Sequence, residues 1–246
     1  MCLCLFLLAV KIVLMDSLDF LINMILLVTA LAQFVIAVLS FINGGLARKT
    51  IVAAIVMICG AAWTVILLSA TYIANDNNLA LLNQLVVVIA VILFYFVALL
   101  GLSFLDLKAK QFYLVSALLT IPGICMSLAA ILAFHIFFLE LWMLDNGSVH
   151  LKINPAAVML FVVLIIAYVG TAIAALLIAR KRAQSKLGKK LIRNVIIGVI
   201  LGFLSPMIFN VANAEVHELH VLGPFGLLAM AFFTYSAFVK HGDDSL

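Results

Sequence analysis

Of 246 residues, 68% are hydrophobic and only 10% charged, the formal net charge is +4, and mean hydropathy is +1.37. A soluble domain carries about 25% charged residues, so this composition excludes a water-soluble globular fold and leaves a bilayer as the solvent. The apolar runs are continuous rather than alternating, which also excludes a transmembrane β-barrel.

The predicted class is an all-α polytopic membrane protein with seven transmembrane helices, because a span takes roughly 20 apolar residues. Residues 1–19 are read as a short apolar amino-terminal segment. Its stretch Met1–Met15 is short for a span and is broken by Lys11. Three readings stand: an interfacial extension of the first helix, a signal-like segment without a basic n-region or A-x-A site, or a start upstream of a working Met15. A seven-helix domain is expected over 20–241 and a cytoplasmic tail over 242–246. The spans fall at about 20–42, 51–74, 80–105, 112–139, 155–179, 191–213 and 219–240. Asn75-Asp-Asn-Asn78 and Asp145-Asn-Gly147 are turn signals between runs. Pro155 opens the fifth run, where its missing N–H costs nothing.

Charge orients these spans. Arg48, Lys49, Lys108, Lys110, Lys240 and the basic loop Arg180, Lys181, Arg182, Lys186, Lys189, Lys190 and Arg193 all fall on one side. Only Lys11 and Lys152 fall on the other, where most of the acids lie. Lys/Arg excess in short loops marks the cytoplasmic face, so the amino end is expected outside and the carboxyl end inside. The basic loop is expected to meet anionic lipid or a cytoplasmic partner.

Polar groups within the spans are the next signal, since each costs free energy unless partnered. Asn23, Gln33, Asn83 and Gln84 occupy the first and third runs. Interhelical hydrogen bonding accounts for most such residues. A second reading places an outward-opening ligand cavity at the outer ends of the fourth to seventh helices, lined by His135, Tyr168, Asn210, Asn213 and Glu215. Pro122 and Pro206 are candidate hinges. Gly198 and Gly202 form a GxxxG that permits close helix approach without implying a dimer.

Between the sixth and seventh runs stands Asn213-Ala-Glu-Val-His-Glu-Leu-His220. It falls short of H-E-x-x-H, whose histidines stand four apart to ligate zinc from one helix face. His217, His220 and Glu218 still form a weak candidate metal site, or a pH-sensing pair. Set against that is an ordinary solvated loop. Cys2, Cys4, Cys59 and Cys125 form no CxxC pair and read as small buried hydrophobes. No nucleophile elbow, P-loop or aspartate dyad is present, and the seventh run lacks a mid-span lysine for a retinal Schiff base. Neither catalysis, a cofactor nor a nucleic-acid partner is expected.

The last hundred residues carry a resemblance. Ala179-Arg-Lys-Arg182 and Ser185–Arg193 lead into Gly198 and Ser205-Pro206. Then come Leu222-Gly-Pro-Phe-Gly-Leu-Leu228 and the ending Phe233-Thr-Tyr-Ser-Ala-Phe-Val-Lys-His241. With Asn43-Gly-Gly-Leu-Ala-Arg-Lys-Thr50 and Gly60-Ala-Ala-Trp63, this resembles the seven-helix amino-terminal sensor region of bacterial membrane histidine kinases. The resemblance implies a bacterial inner-membrane sensory module with a small-molecule or lipophilic signal and a cytoplasmic signalling partner or a homodimer. That family continues into a phospho-accepting histidine and an ATP-binding domain. Here the chain stops at Gly242-Asp-Asp-Ser-Leu246, so no phosphotransfer is expected. The rival expectations are a small-solute permease or channel, and an accessory subunit of a membrane complex.

Overall fold

In the computed structural model, residues 17–44, 47–70, 76–105, 107–132, 138–143, 149–208 and 223–239 are described. They form α1 (Ser17–Gly44), α2 (Arg48–Ala70), α3 (Asp76–Ser103), α4 (Ala109–Leu132), β1 (Phe138–Met143), β2 (Val149–Ile153), α5 (Pro155–Arg182), α6 (Lys186–Pro206) and α7 (Gly223–Val239). Five of the helices are long and apolar enough to cross a membrane: α1 to α5. α7, at 17 residues, is apolar but shorter. α6 spends its first two turns on Lys186, Lys189, Lys190 and Arg193.

The burial pattern is the reverse of a soluble bundle. α1 buries Asn23, Thr29, Gln33 and Ser40 while exposing Leu21, Val28, Leu31 and Phe34. On α4, Leu118 and Ile121 are about 60% exposed, whereas Phe112, Gly123 and Ala130 are buried. Large apolar side chains turned outward all along helices of this length have an apolar solvent. The architecture is that of a multi-pass membrane protein.

α1, α2, α3, α5, α6 and α7 pack in that cyclic order, α7 closing back on α1 and also touching α2. α4 lies outside the ring against α3, with a smaller contact to α5. The core is built chiefly on α2, α3, α5 and α6, through Met57, Leu93, Val97, Leu100, Leu176 and Val195. Glycines set the closest approaches. A Cβ on Gly101 of α3 would lie 2.6 Å from the Ala172 carbonyl oxygen of α5. Aromatic rings fill the wider gap from α2 to α3 to α6, where Trp63, Phe94 and Phe203 meet edge to face at 6.4 and 6.2 Å.

Helix starts follow local chemistry. Asn154 caps α5, its side chain accepting from the Ala156 N–H at 3.1 Å, with Pro155 at the first helical position. Ser185 caps α6 by accepting from the Gly188 N–H at 2.9 Å. That cap corrects one expectation. Arg180–Arg193 is not a loop but two helix ends, with only residues 183–185 between them.

One further boundary differs from the sequence reading. The fourth helix ends at Leu132 rather than near residue 139, and Phe138–Met143 pairs antiparallel with Val149–Ile153. Bulky aromatic and aliphatic residues around a single Glu suit a strand. The regular structure of the described residues is therefore helical apart from this strand pair. Regular α-helical geometry in α6 reaches Pro206, a wider helical turn follows at 207–208, and residues 209–222 lie outside the described residues. With no N–H to offer the Gly202 carbonyl, Pro206 interrupts the regular ladder there.

Candidate functional site

Three junctions hold the described helices together, and a charged end completes the picture. The first is polar. Gln33 is fully buried, and its Nε2 donates to the Pro224 carbonyl of α7 at 3.4 Å. The Thr64 hydroxyl of α2 donates to the Gly60 carbonyl at 2.9 Å and stands 3.5 Å from Gln33 Oε1. A Cβ on Gly60 would sit 3.2 Å from that oxygen, so glycine makes room for the amide. One side chain thus links α1, α2 and α7. Further along, Asn43 Nδ2 donates to the Tyr235 hydroxyl at 3.4 Å.

Two buried polar atoms have no hydrogen-bond partner among the described residues: Trp63 Nε1 on α2 and the Thr234 hydroxyl on α7. Thr234 is 1% exposed. In a water-free environment each such group costs free energy comparable to a lost hydrogen bond.

The second junction joins α3, α4 and α5. Tyr168 is 1% exposed, and its hydroxyl donates to the Leu119 carbonyl of α4 at 2.8 Å. Pro122 leaves the Leu118 carbonyl without its usual helical donor, and Tyr168 engages the next carbonyl along. Gly123 provides the space, since a Cβ there would be 2.6 Å from the tyrosine oxygen. Tyr95 of α3 packs edge to face on Tyr168 at 6.1 Å, and the Thr120 hydroxyl donates to Tyr95 at 3.0 Å. Tyr168 is thus committed to a structural bond.

The third junction is the α6–α7 seam. Cβ atoms on Gly198 and Gly202 would lie 3.0 Å from Phe233 Cβ and Met230 Cβ respectively. Gly226 of α7 faces Ser205 and the Leu201 carbonyl just as closely. The Gly198–Gly202 pair therefore receives α7 of the same chain.

Helix ends define a charged face. Arg48 lies over the Phe112 ring at 4.4 Å and Lys49 over Phe104 at 5.5 Å, so the starts of α2 and α4 and the end of α3 share one side. Asn43 and Tyr235 bring the ends of α1 and α7 to the same side. Arg180, Lys181, Arg182, Lys186, Lys189, Lys190 and Arg193 are all exposed at the α5–α6 turn. That turn projects. Fourteen residues of α5 follow Tyr168, but only eight of α3 follow its partner Tyr95, so α5 runs on by about 9 Å.

His135, Asn210, Asn213, Glu215, His217, Glu218 and His220 lie outside the described residues, as do residues 1–16 and 240–246. Among the described residues, no three His, Cys, Asp or Glu group to hold a metal ion. Cys59 and Cys125 are free thiols, the first half-buried and the second exposed. The sequence alone does not single out Gly60, Thr64 or Thr234. The available signal is the spacing of Asn23, Leu26, Ala30, Gln33, Ala37 and Ser40, which puts the polar residues of α1 on one helical face.

No protein-family model matches the chain, and no curated protein matches it.

Proposed function

We propose that the protein is a membrane-embedded sensory module of seven crossings, amino end outside and carboxyl end cytoplasmic, in a bacterial inner membrane. α6 and α7 are its sixth and seventh crossings, and α7 is the output element. The observation that carries this reading is the under-satisfied polar packing of α7. Among the described residues, its links from Gln33 and Asn43 of α1 are both long at 3.4 Å, and its buried Thr234 hydroxyl has no partner. A sensory role requires a second packing of α7 that a signal binds differently, and long bonds with an orphan hydroxyl lower the cost of leaving this one. A small or lipophilic signal that binds one packing better shifts α7 at the basic face, where a cytoplasmic partner or a second copy reads the change. The resemblance to histidine-kinase sensor regions supports the same assignment.

The test is a distance measurement between spin labels at Tyr113→Cys on α4 and Phe232→Cys on α7, two exposed positions. Native cysteines are replaced and the chain is reconstituted in nanodiscs. Two distance populations are expected, collapsing to one in Thr234→Val. A single distance, unchanged by that substitution, contradicts the output role. Saturable solute flux in proteoliposomes would place the protein among permeases instead.

A further inference from the structure

We propose that the cleft between the carboxyl end of α5 and the amino end of α6 binds the phosphate headgroup of an anionic phospholipid. The cleft measures about 380 Å³ and is lined by Leu177, Arg180, Lys181 and Lys189. Arg180 and Lys181 come from the last turn of α5, and Lys189 comes from the first turns of α6. Leu177, 43% exposed, stands one turn farther into the apolar helix. A charged mouth continued by an apolar edge repeats the order of groups along a phospholipid, from phosphate to acyl chain.

Nothing in the described protein neutralises these cations. The chain has no Asp or Glu between Asp145 and Glu215. The described acids Asp19, Asp76 and Glu140 belong to the beginnings of α1 and α3 and to the hairpin, at the opposite end. Three like charges lining one cleft repel, and an anion relieves that repulsion. Helix dipoles sharpen the point. Arg180 and Lys181 suit a helix carboxyl end, but Lys189 sits near an amino end, where the dipole disfavours a cation. Arg180 offers a planar fork for two phosphate oxygens, and the two lysines act as point charges. This site rests on the membrane placement of this end and not on the sensory assignment.

The test is native mass spectrometry of the full chain in detergent, with phosphatidylglycerol or phosphatidylcholine added. The wild type should retain one phosphatidylglycerol at least about tenfold better than phosphatidylcholine, as a headgroup site rather than a surface potential requires. Replacing the lining cations together (Arg180→Gln, Lys181→Gln, Lys189→Gln) should abolish that preference. Removing the same charge nearby (Arg182→Gln, Lys186→Gln, Lys190→Gln) should change it less than about twofold. Because all six residues are exposed, folding is not at stake. Equal loss in the two triple variants, or equal retention of the two lipids by the wild type, overturns the proposal in favour of diffuse charge. Displacement by millimolar inorganic phosphate overturns it in favour of a soluble anion site.

Discussion

The Tyr168 hydroxyl donates a 2.8 Å hydrogen bond to the Leu119 carbonyl, three residues before Pro122, in a space kept open by Gly123. This bond fixes the peripheral helix α4 to α5 where proline weakens α4's own ladder. Tyr168→Phe should cost about 1 kcal/mol, the usual scale for a hydrogen bond between membrane helices. Gly123→Ala should cost about 1–3 kcal/mol, because the added methyl meets the hydroxyl. The double variant should be more stable than the two losses combined, by about 1 kcal/mol, since Phe removes the atom that Ala strikes. Unfolding titrations in mixed micelles measure all three, and strict additivity would contradict the described contact.

Gly101 and Gly170 should respond oppositely to alanine. At Gly101 the new Cβ meets Ala172 backbone, which has no rotamer to escape into. A loss of about 1–3 kcal/mol is expected. A methyl group at Gly170 would meet nothing within 4 Å, so alanine there should be neutral or stabilise by up to about 1 kcal/mol. Thermal denaturation of the two variants side by side checks the contrast.

Gln33→Leu should destabilise by about 1 kcal/mol, through loss of the bond to the Pro224 carbonyl and of the Thr64 contact. Gly60→Ala should be tolerated better in that background than in the wild type, because the amide that crowds it is gone. The same micelle titration reads both.

Thr234→Val keeps the shape of the side chain and removes a buried hydroxyl that has no partner among the described residues. It should stabilise the described packing by about 1 kcal/mol, the lower end of the cost of an unsatisfied polar group. A loss of stability would mean that the hydroxyl is bonded in the folded protein.

Much of the helix order was legible because length and hydropathy act locally. The first, second, third and fifth runs lie close to α1, α2, α3 and α5, and Asn154-Pro155 and Ser185 carry their own start signals. The hairpin was hidden because Phe138–Met143 is as apolar as the helix before it, and only its pairing with Val149–Ile153 distinguishes it. The polar junctions were half legible. Gln33 and Tyr168 stand out by chemistry, but their partners are the Pro224 and Leu119 carbonyls, which every residue possesses and no sequence marks.

Each proposal depends on which side of the membrane the basic helix ends occupy. Labelling with a membrane-impermeant maleimide addresses this in a chain whose native cysteines are replaced and which carries one cysteine, at Gln184 in the α5–α6 turn or at Asp76 at the start of α3. In intact bacterial spheroplasts, position 76 should label and position 184 should label only after lysis. Labelling of 184 in intact cells, or of both positions from the same side, would contradict the seven-crossing arrangement with its basic face in the cytoplasm.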